Sequence, residues 1–490
     1  MKRINSYLLI GLSAVLMFSC SKEYLDTAPT DAVSKDVIFE TVQGAEVAVN
    51  GIYRWMYSWN QLGNNRHDDW GYRTLGVKAD LMGHDMKVAS RGYGWFISDY
   101  NYTGRGQVTD NTTSSISYNL NYDIIYNANV IIEKVDEVLG DQTERDWIKA
   151  QALTIRAHAY LWLAQFHAPT YVGNESAPCV PLKLESTEEH LPMSTVGQVY
   201  ASIIQDLEDA IDLFASAGIS RPAKSYINVQ VAQGVLARAA LIMEDWGTAI
   251  AAAQAARAGY SLMSDAEMTG GFNDQSVGEW MWGFDINEEQ STIYASFFSH
   301  MDPTRLSYAS LGLQKQMPAY LYDTIPATDI RKALFVDPAD DTWFDPWGTP
   351  IITYVSVKYR TPSWAADYIM MRAAEMYLIE AEAAAEAGQG TVALAAVNAI
   401  LEARDPGSSI SLSGDELVQA VRLQRRIELW GEGFGLFDVK RWKIPLNRRD
   451  HDPTLCTVVD LPANSFEFNL RVPQYEIDAN DMLSEADQID

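Results

Sequence analysis

The sequence of 490 residues is short of cysteine and of positive charge, and both shortages exclude classes of protein. Lysine and arginine number 37 against 65 aspartates and glutamates, which gives a formal net charge of −28. A field of that sign repels phosphate groups, so nucleic acid is excluded as a partner. Among the three cysteines and seven histidines no group has zinc-site spacing. Glycine-rich phosphate loops and G-x-S-x-G nucleophile motifs are also missing.

The N-terminal segment has the pattern of a secretory signal. Two basic residues precede an apolar run from Tyr7 to Phe18, which is too short to span a bilayer. The run ends at a small residue followed by Cys20, an arrangement similar to a bacterial lipoprotein box. We predict that residues 1–19 are a signal peptide, that Cys20 carries the lipid and that 20–36 form a polar tether. The alternative is a plain secretory signal with a chance cysteine.

Two alanine-rich segments predict helical hairpins of the same length. Residues Tyr368–Arg404 contain two helical patterns separated by Gly388-Gln389-Gly390, where glycine favours a helix end. Residues Tyr226–Gly259 repeat this plan around Asp245-Trp246-Gly247. Helix, turn and helix over about 34 residues is the size of a tetratricopeptide unit. The pattern therefore predicts a mostly α fold with a tetratricopeptide-like scaffold. The alternative is two unrelated hairpins in a mixed domain.

Other segments extend this helical pattern, and two long regions interrupt it. Further helices are predicted at Val37–Trp55, Ser117–Leu139, Thr143–His167, Thr195–Ala217 and Asp415–Leu429. Residues 57–111 and 270–362 are rich in glycine, asparagine and aromatic side chains and have no long period. The second of these contains two predicted strands, GEWMWGFDI and PIITYVSVKY, and one short helix, TDIRKALFV. We expect the two regions to form a second, loop-rich lobe with short strands.

Short motifs in a fixed order run the length of the chain. They include Tyr24-Leu25-Asp26, Asn50-Gly51-Ile52-Tyr53, Asn127-Ala128-Asn129, Arg156-Ala157-His158-Ala159-Tyr160, Leu236-Ala237-Arg238-Ala239, Arg372–Leu378, Arg425-Arg426-Ile427-Glu428-Leu429, Phe437–Trp442 and Val472-Pro473. In this order the motifs resemble the RagB/SusD family of outer-membrane nutrient-binding lipoproteins.

The resemblance implies a function that composition does not give. Members of this family are surface lipoproteins that cap a SusC-like TonB-dependent outer-membrane transporter and capture glycans or other oligomers for import. Their fold carries four tetratricopeptide-like units, which agrees with the hairpins. On this basis residues 37–490 are expected to form one SusD-like domain, anchored in the outer membrane through Cys20 and exposed at the cell surface.

The aromatic loop regions supply candidates for glycan binding, because flat rings stack on the C–H face of a sugar while polar groups meet its hydroxyls. The predicted stacking residues are Trp70, Trp95, Tyr294 and Trp347, and the predicted polar partners are Asp80, Asn101 and Arg105. The alternative is that each ring packs against the helical lobe. Trp280 and Trp282 share a predicted strand face and are expected in the core.

Carboxylate pairs raise the alternative of a glycosidase. Asp80 with Asp85 and Glu428 with Glu432 are the available pairs, and for Glu428 and Glu432 an ion pair with a neighbouring arginine is the simpler role. No metal site or cofactor is predicted. A structural calcium ion is possible at the aspartates that follow Pro338, namely Asp340, Asp341 and Asp345, although their spacing is not that of an EF-hand.

The sequence thus predicts a non-enzymatic, lipid-anchored binding protein that delivers oligosaccharide to a TonB-dependent transporter. Three alternatives stay open: a secreted glycan-degrading enzyme, an importer of peptides, and a scaffold whose only partner is another protein. Cys179 and Cys456 are either paired or two free, part-buried thiols.

Overall fold

A computed structural model describes residues 38–103, 113–448 and 450–488. About 48% of the chain is helical and the strands are few and short, so the expected mostly α fold is confirmed. The predicted signal peptide, the tether with Cys20, and Arg105 lie outside the described residues.

The described residues form the following elements. The helices are α1 (Val42–Trp55), α2 (Tyr72–Met82), α3 (Ile97–Tyr100), α4 (Thr113–Lys134), α5 (Gln142–His167), α6 (Val196–Ala217), α7 (Val229–Ile242), α8 (Trp246–Arg257), α9 (Asp265–Met268), α10 (Phe297–Met301), α11 (Ala319–Tyr322), α12 (Ala373–Glu386), α13 (Gly390–Arg404), α14 (Gly414–Glu428), α15 (Gly435–Arg441) and α16 (Gln474–Ala479). The strands are β1 (Lys87–Val88), β2 (Trp280–Phe284), β3 (Lys315–Gln316), β4 (Tyr368–Arg372), β5 (Leu446–Asn447) and β6 (Asp460–Leu461).

Helices α4 to α8 and α12 to α14 form the helical lobe, in which each helix packs on the next along the chain and α8 packs on α12. The packing is close because the contacting faces are alanine-rich. Ala249, Ala253 and Ala256 of α8 and Ala381 and Ala384 of α12 are all fully buried. Each pair of helices covers the apolar face of its neighbour, which is the principle of a tetratricopeptide-like stack.

The strands pair in three antiparallel ribbons, β1 with β3, β2 with β4 and β5 with β6. The predicted strand GEWMWGFDI is β2, and its Trp280 and Trp282 are fully buried as expected. Its partner differs from the expectation. The first five residues of the predicted hairpin helix, Tyr368–Arg372, are strand β4, while the segment PIITYVSVKY forms only isolated bridges, through Pro350, Val355 and Ser356.

A buried ionic core joins the helical lobe to the loop-rich segments. It consists of Glu279, Glu428 and Glu432 together with Arg331, Lys358, Arg372 and Arg404. Arg372 lies 2.6 Å from Glu279, 2.7 Å from Glu428 and 2.8 Å from Glu432. Because every member has an opposite charge beside it, the group tolerates burial that an isolated charge would not.

Candidate functional site

Five aromatic rings meet at the surface of the loop-rich region, and we name them the Tyr308 cluster. The cluster consists of Tyr308 and four of the rings that contact it, Tyr93, Trp95, Tyr294 and His67. The centroid of the Tyr308 ring lies 5.3 Å from that of Tyr93, 5.3 Å from that of Tyr294, 6.0 Å from that of Trp95 and 5.7 Å from that of His67. Residues far apart in sequence thus form one surface.

The centre of this cluster is buried and its rim is exposed. Tyr308 is buried, Trp95, Tyr294 and His67 are half-buried, and 66% of Tyr93 is accessible to solvent. Tyr93 stands out because it lies in a tight turn, closed by a 2.8 Å hydrogen bond from Gly94 N to Arg91 O. The turn places Gly94 at φ +84°, a conformation that glycine adopts without strain. A half-open aromatic surface of this kind fits the apolar face of a sugar.

Hydrogen bonds hold the base of the cluster. His67 Nδ1 lies 2.8 Å from the Tyr308 hydroxyl, and the backbone carbonyl of His67 accepts a bond of 3.0 Å from Trp70 Nε1. His300 Nε2 lies 2.8 Å from the same carbonyl. The His67 ring is also stacked on Trp95 at 5.7 Å with an interplanar angle of 14°. The loop that carries His67 is therefore fixed before any ligand arrives.

Trp70 belongs to the floor of the site and not to its surface, which corrects the prediction that its ring stacks on ligand. Only 1% of the residue is accessible. Its ring stacks on His300 at 5.8 Å, and His300 stacks in turn on Tyr308 at 5.0 Å. Burial of so large a ring favours a packing role, because a sugar cannot reach its face in this conformation.

A chain of charges supports Trp95 from one side. The Arg66 guanidinium lies 5.4 Å from the Trp95 ring centroid and makes two 2.7 Å bonds to Asp68. Asp68 also pairs with Lys78 at 3.2 Å, and Lys78 pairs with Asp99 at 3.0 Å. Burial would raise the pKa of Asp68, but the charges of Lys78 and Arg66 outweigh it and lower that pKa to about 2. The carboxylate therefore stays ionised and keeps Arg66 in place.

Two of the predicted polar partners are occupied by the fold. Both carboxylate oxygens of Asp80 accept backbone N–H groups, from Gly433 at 2.8 Å and from Gly435 at 2.9 Å. Burial raises the pKa of Asp80 to about 7. Asn101 donates to the carbonyl of Leu455 at 2.8 Å and accepts from Thr457 N at 2.6 Å. Both side chains tie chain segments together, and their assignment as ligand partners stays a prediction.

The predicted site residues therefore separate into three groups. Trp95 and Tyr294 come together in the Tyr308 cluster. Trp347 is 55% accessible at the tip of a separate turn, where Asp345 accepts backbone bonds from Trp347 at 2.9 Å and from Thr349 at 2.8 Å. Trp70, Asp80 and Asn101 serve packing. The central residue, Tyr308, was not among the predicted residues, because nothing in the segment TRLSYASLG distinguishes it from any other loop tyrosine.

The carboxylate pairs considered for catalysis are held by the fold. Asp80 accepts the two backbone N–H groups described above, and Asp85 makes bonds of 2.6 Å and 2.8 Å to Arg426. Glu428 and Glu432 belong to the buried ionic core, where Arg372 and Lys358 hold the pKa of Glu432 at about 2 against the opposing effect of burial. Neighbouring arginines also outweigh burial at Glu428 and lower its pKa. Both members of this second pair therefore stay ionised, and neither can serve as the proton donor.

The aspartates considered for calcium cap local turns. Asp340 accepts from the backbone N–H of Thr342 at 2.8 Å, and Asp345 caps the turn of Trp347. Within residues 38–103, 113–448 and 450–488 no group of three or more His, Cys, Asp or Glu side chains is arranged to hold a metal ion.

Cys179 and Cys456 are both buried and free, and burial raises the pKa of Cys179 to about 12. In the described part of the chain, no helix is both long and apolar enough to cross a membrane.

Two family models match different parts of the chain. Residues 23–241 match a model described as "Starch-binding associating with outer membrane", of the SusD-like group. Residues 351–485 match the SusD_RagB model, described as "SusD family". Together the two matches include most of the motifs that carried the resemblance in the sequence.

Individual proteins agree with these matches over nearly the whole chain. The "SusD-like protein P2" of Formosa agariphila is 25% identical over 465 residues, which cover 86% of this chain and 87% of that protein. A solved SusD-like carbohydrate binding protein from Bacteroides vulgatus is 28% identical, with a TM-score of 0.80, and the match covers 92% of this chain and 99% of that one. A SusD superfamily protein from Bacteroides thetaiotaomicron, 22% identical with a TM-score of 0.75 over 92% of this chain and 100% of that one, shares the fold.

Proposed function

Because this chain belongs to the SusD/RagB family, we propose that it is a non-enzymatic lipoprotein of the outer membrane that captures oligosaccharide and delivers it to a TonB-dependent transporter. The matching family model associates its members with starch binding and with the outer membrane, which is the general form of this function. Lipidation at Cys20, exposure at the cell surface and a SusC-like transporter as partner are the specific parts of the proposal.

The observation that carries the proposal is the Tyr308 cluster. A glycan-binding protein needs rings that are rigid yet exposed, because an ordered ring loses little conformational entropy when the sugar arrives. Tyr93, Trp95 and Tyr294 meet that need, since each contacts the buried Tyr308 ring and each keeps part of its surface accessible. If these rings only packed in the core, Tyr93 would be expected to be buried, yet two-thirds of it is accessible to solvent.

Binding without turnover is favoured by the state of the carboxylates. A glycosidase needs one carboxyl group that donates a proton and one that accepts it or attacks, both facing the sugar. Asp80 is held by two backbone N–H groups, and Asp85 is paired with Arg426. The hydrogen-bond partners of these two carboxylates include no ring of the Tyr308 cluster. The aromatic surface is therefore suited to binding a sugar and not to cleaving it.

The test is a glycan array followed by calorimetry on the full chain, with Trp95→Ala as the binding variant. Phe466→Ala is the matched control, because Phe466 is an aromatic residue that is 46% accessible and lies outside the cluster. We expect Trp95→Ala to weaken binding of the best glycan about 30-fold, the roughly 2 kcal/mol typical of a well-packed aromatic anchor. Phe466→Ala should leave the affinity unchanged.

The other outcomes distinguish the alternatives. Release of reducing ends from the bound glycan, abolished by Asp85→Asn, would replace the proposal with an enzyme. Binding of peptides and of no glycan would make the chain a peptide importer. Equal loss of glycan affinity in Trp95→Ala and Phe466→Ala would mean that the cluster is not the binding surface.

A further inference from the structure

A second concave site lies away from the Tyr308 cluster, and we name it the Tyr320 hollow. It has a volume of about 670 Å³ and is lined by His84, Tyr320, Asp323, Arg426, Pro445, Asn447 and Asp450. Ligand sites for small molecules usually measure about 300–1,000 Å³. The hollow is therefore large enough to hold one or two sugar rings.

The ribbon of β1 and β3 separates the two sites. Lys87 pairs with Gln316 and Val88 with Lys315, in antiparallel register. Tyr93 and Trp95 follow β1 and Tyr308 precedes β3, so the Tyr308 cluster lies beyond one end of the ribbon. His84 precedes β1 and Tyr320 follows β3, so the hollow lies beyond the other end.

The Tyr320 ring is exposed and yet fixed. The residue is 42% accessible. Its hydroxyl shares its one hydrogen between the carbonyl of His84 at 3.2 Å and Asp85 Oδ1 at 3.3 Å. Arg426 donates to the same hydroxyl at 3.4 Å and holds Asp85 with two shorter bonds. A ring anchored by its hydroxyl presents a ready surface to the apolar face of a sugar.

The charges around the ring favour a neutral ligand over an anion. Asp85 is matched by Arg426, and Asp450 lies 3.5 Å from Lys87 and accepts from the backbone N–H of Ala319 at 2.7 Å. Asp323 is exposed at the rim and adds a negative charge. Carboxylates accept hydrogen bonds from hydroxyl groups and repel phosphate, sulfate and uronic acid groups.

We propose that the Tyr320 hollow is a second saccharide site, which takes a neutral sugar with its apolar face on Tyr320 and its hydroxyls on Asp323. The inference rests on the proposed function only for the class of ligand, since the two sites share no residue. It gives the protein two contact points for glycan on opposite ends of one ribbon.

The test uses monosaccharides in a Trp95→Ala background, because a free sugar bound at the Tyr308 cluster would otherwise keep its signal. Saturation-transfer NMR is recorded for glucose, galactose, mannose, xylose and arabinose with the unsubstituted chain, with Trp95→Ala, and with Trp95→Ala combined with Tyr320→Ala, Asp323→Asn or the control Phe466→Ala. We expect at least one sugar to bind to Trp95→Ala and the added Tyr320→Ala to abolish that signal. The added Asp323→Asn should weaken this binding about ten-fold, the size of one charge-assisted hydrogen bond. The added Phe466→Ala should leave the signal intact.

Failure of this proposal differs visibly from failure of the proposed function. Signals that persist in both Tyr320→Ala and Asp323→Asn, or no signal from any of the five sugars, would overturn the second site and leave polymer binding at Trp95 untouched. Signals from the unsubstituted chain that disappear in Trp95→Ala for every sugar would likewise overturn it. Because Asp323 is exposed, Asp323→Asn decides the matter even where Tyr320→Ala does not fold.

Discussion

The buried ionic core and the Tyr308 cluster both join distant segments of the chain, but by opposite means. In the ionic core, charged groups of β4, α13 and α14 and of Glu279, which precedes β2, are removed from water and paired, as in the 2.7 Å contact of Arg372 with Glu428. In the Tyr308 cluster, rings from loops contact one another with few hydrogen bonds and remain partly in water. The difference indicates that the ionic core specifies how the chain folds, and that the cluster is left free to meet a ligand.

The largest effect should follow from breaking the ionic core at Glu428. Glu428→Ala removes the carboxylate that Arg331, Arg372 and Arg404 share at full burial, so the remaining carboxylates no longer balance these charges. We therefore expect the free energy of unfolding to fall by about 3–5 kcal/mol. Urea unfolding followed by circular dichroism measures the change. Glu416→Ala is the control, because Glu416 is exposed on the same helix and should cost about 0.5 kcal/mol. Similar losses in the two variants would contradict the role given to the ionic core.

Acid should weaken the ionic core next. Glu432 has a pKa of about 2 in the folded chain, against 4.5 as its ordinary value. The unfolded chain therefore binds more protons between these two pH values, and the stabilisation that Glu432 contributes is present above pH 4.5 and lost towards pH 2. The free energy of unfolding should fall by up to about 1.4 kcal/mol per pH unit from this group. Urea unfolding at pH 5.5 and pH 3.0 measures it, and a Glu432→Gln variant with the same slope would contradict the assignment.

The two regions also differ in how far the sequence predicts them. Helices α5 and α6 begin within one residue of their predicted starts. They are predictable because the apolar residues of a helix recur at a regular spacing that can be read from the sequence. Helix α2 was missed because all eleven of its residues, Tyr72–Met82, are buried and no polar face gives a period. Strand β4 was read as helix because no turn residue separates Tyr368–Arg372 from the alanines of α12.

In the candidate site, prediction fails because the sequence does not show which aromatic residues are buried. Trp70 and Trp95 are the same residue type and lie in loops of similar sequence. In the folded chain, the packing of rings such as His300 against Trp70 buries it, while Trp95 stays at the surface. Tyr308 was missed for the same reason, since its central position depends on segments more than 200 residues away, such as the loop of His67. Helical periods reveal which side faces the core, and loops have no such period.

A smaller effect should come from the hydrogen bond between Tyr308 and His67 at the centre of the cluster. Tyr308→Phe removes the hydroxyl that lies 2.8 Å from His67 Nδ1 but keeps the ring contacts. We expect the free energy of unfolding to fall by about 1 kcal/mol, and glycan affinity to change less than in Tyr308→Ala, which removes the ring. Calorimetry with the best glycan of the array measures the affinities. Equal losses in the two variants would mean that the hydroxyl, and not ring packing, holds the cluster together.

The smallest effect on stability should come from Trp347. Its substitution also tests whether a long glycan contacts the protein beyond the Tyr308 cluster. Its ring is 55% accessible on a turn held by Asp345, so Trp347→Ala should change the free energy of unfolding by no more than about 0.5 kcal/mol.

If the predicted stacking role of Trp347 is right, it adds a contact for a long glycan beyond the Tyr308 cluster. Trp347→Ala should then weaken binding of the glycan polymer and leave binding of a trisaccharide of the same sugar unchanged. Only the polymer is long enough to contact Trp347 and the Tyr308 cluster at once. Calorimetry with the two ligands separates the cases. Loss of trisaccharide affinity would place Trp347 in the same binding surface as Trp95, and unchanged affinity for both ligands would remove Trp347 from the site.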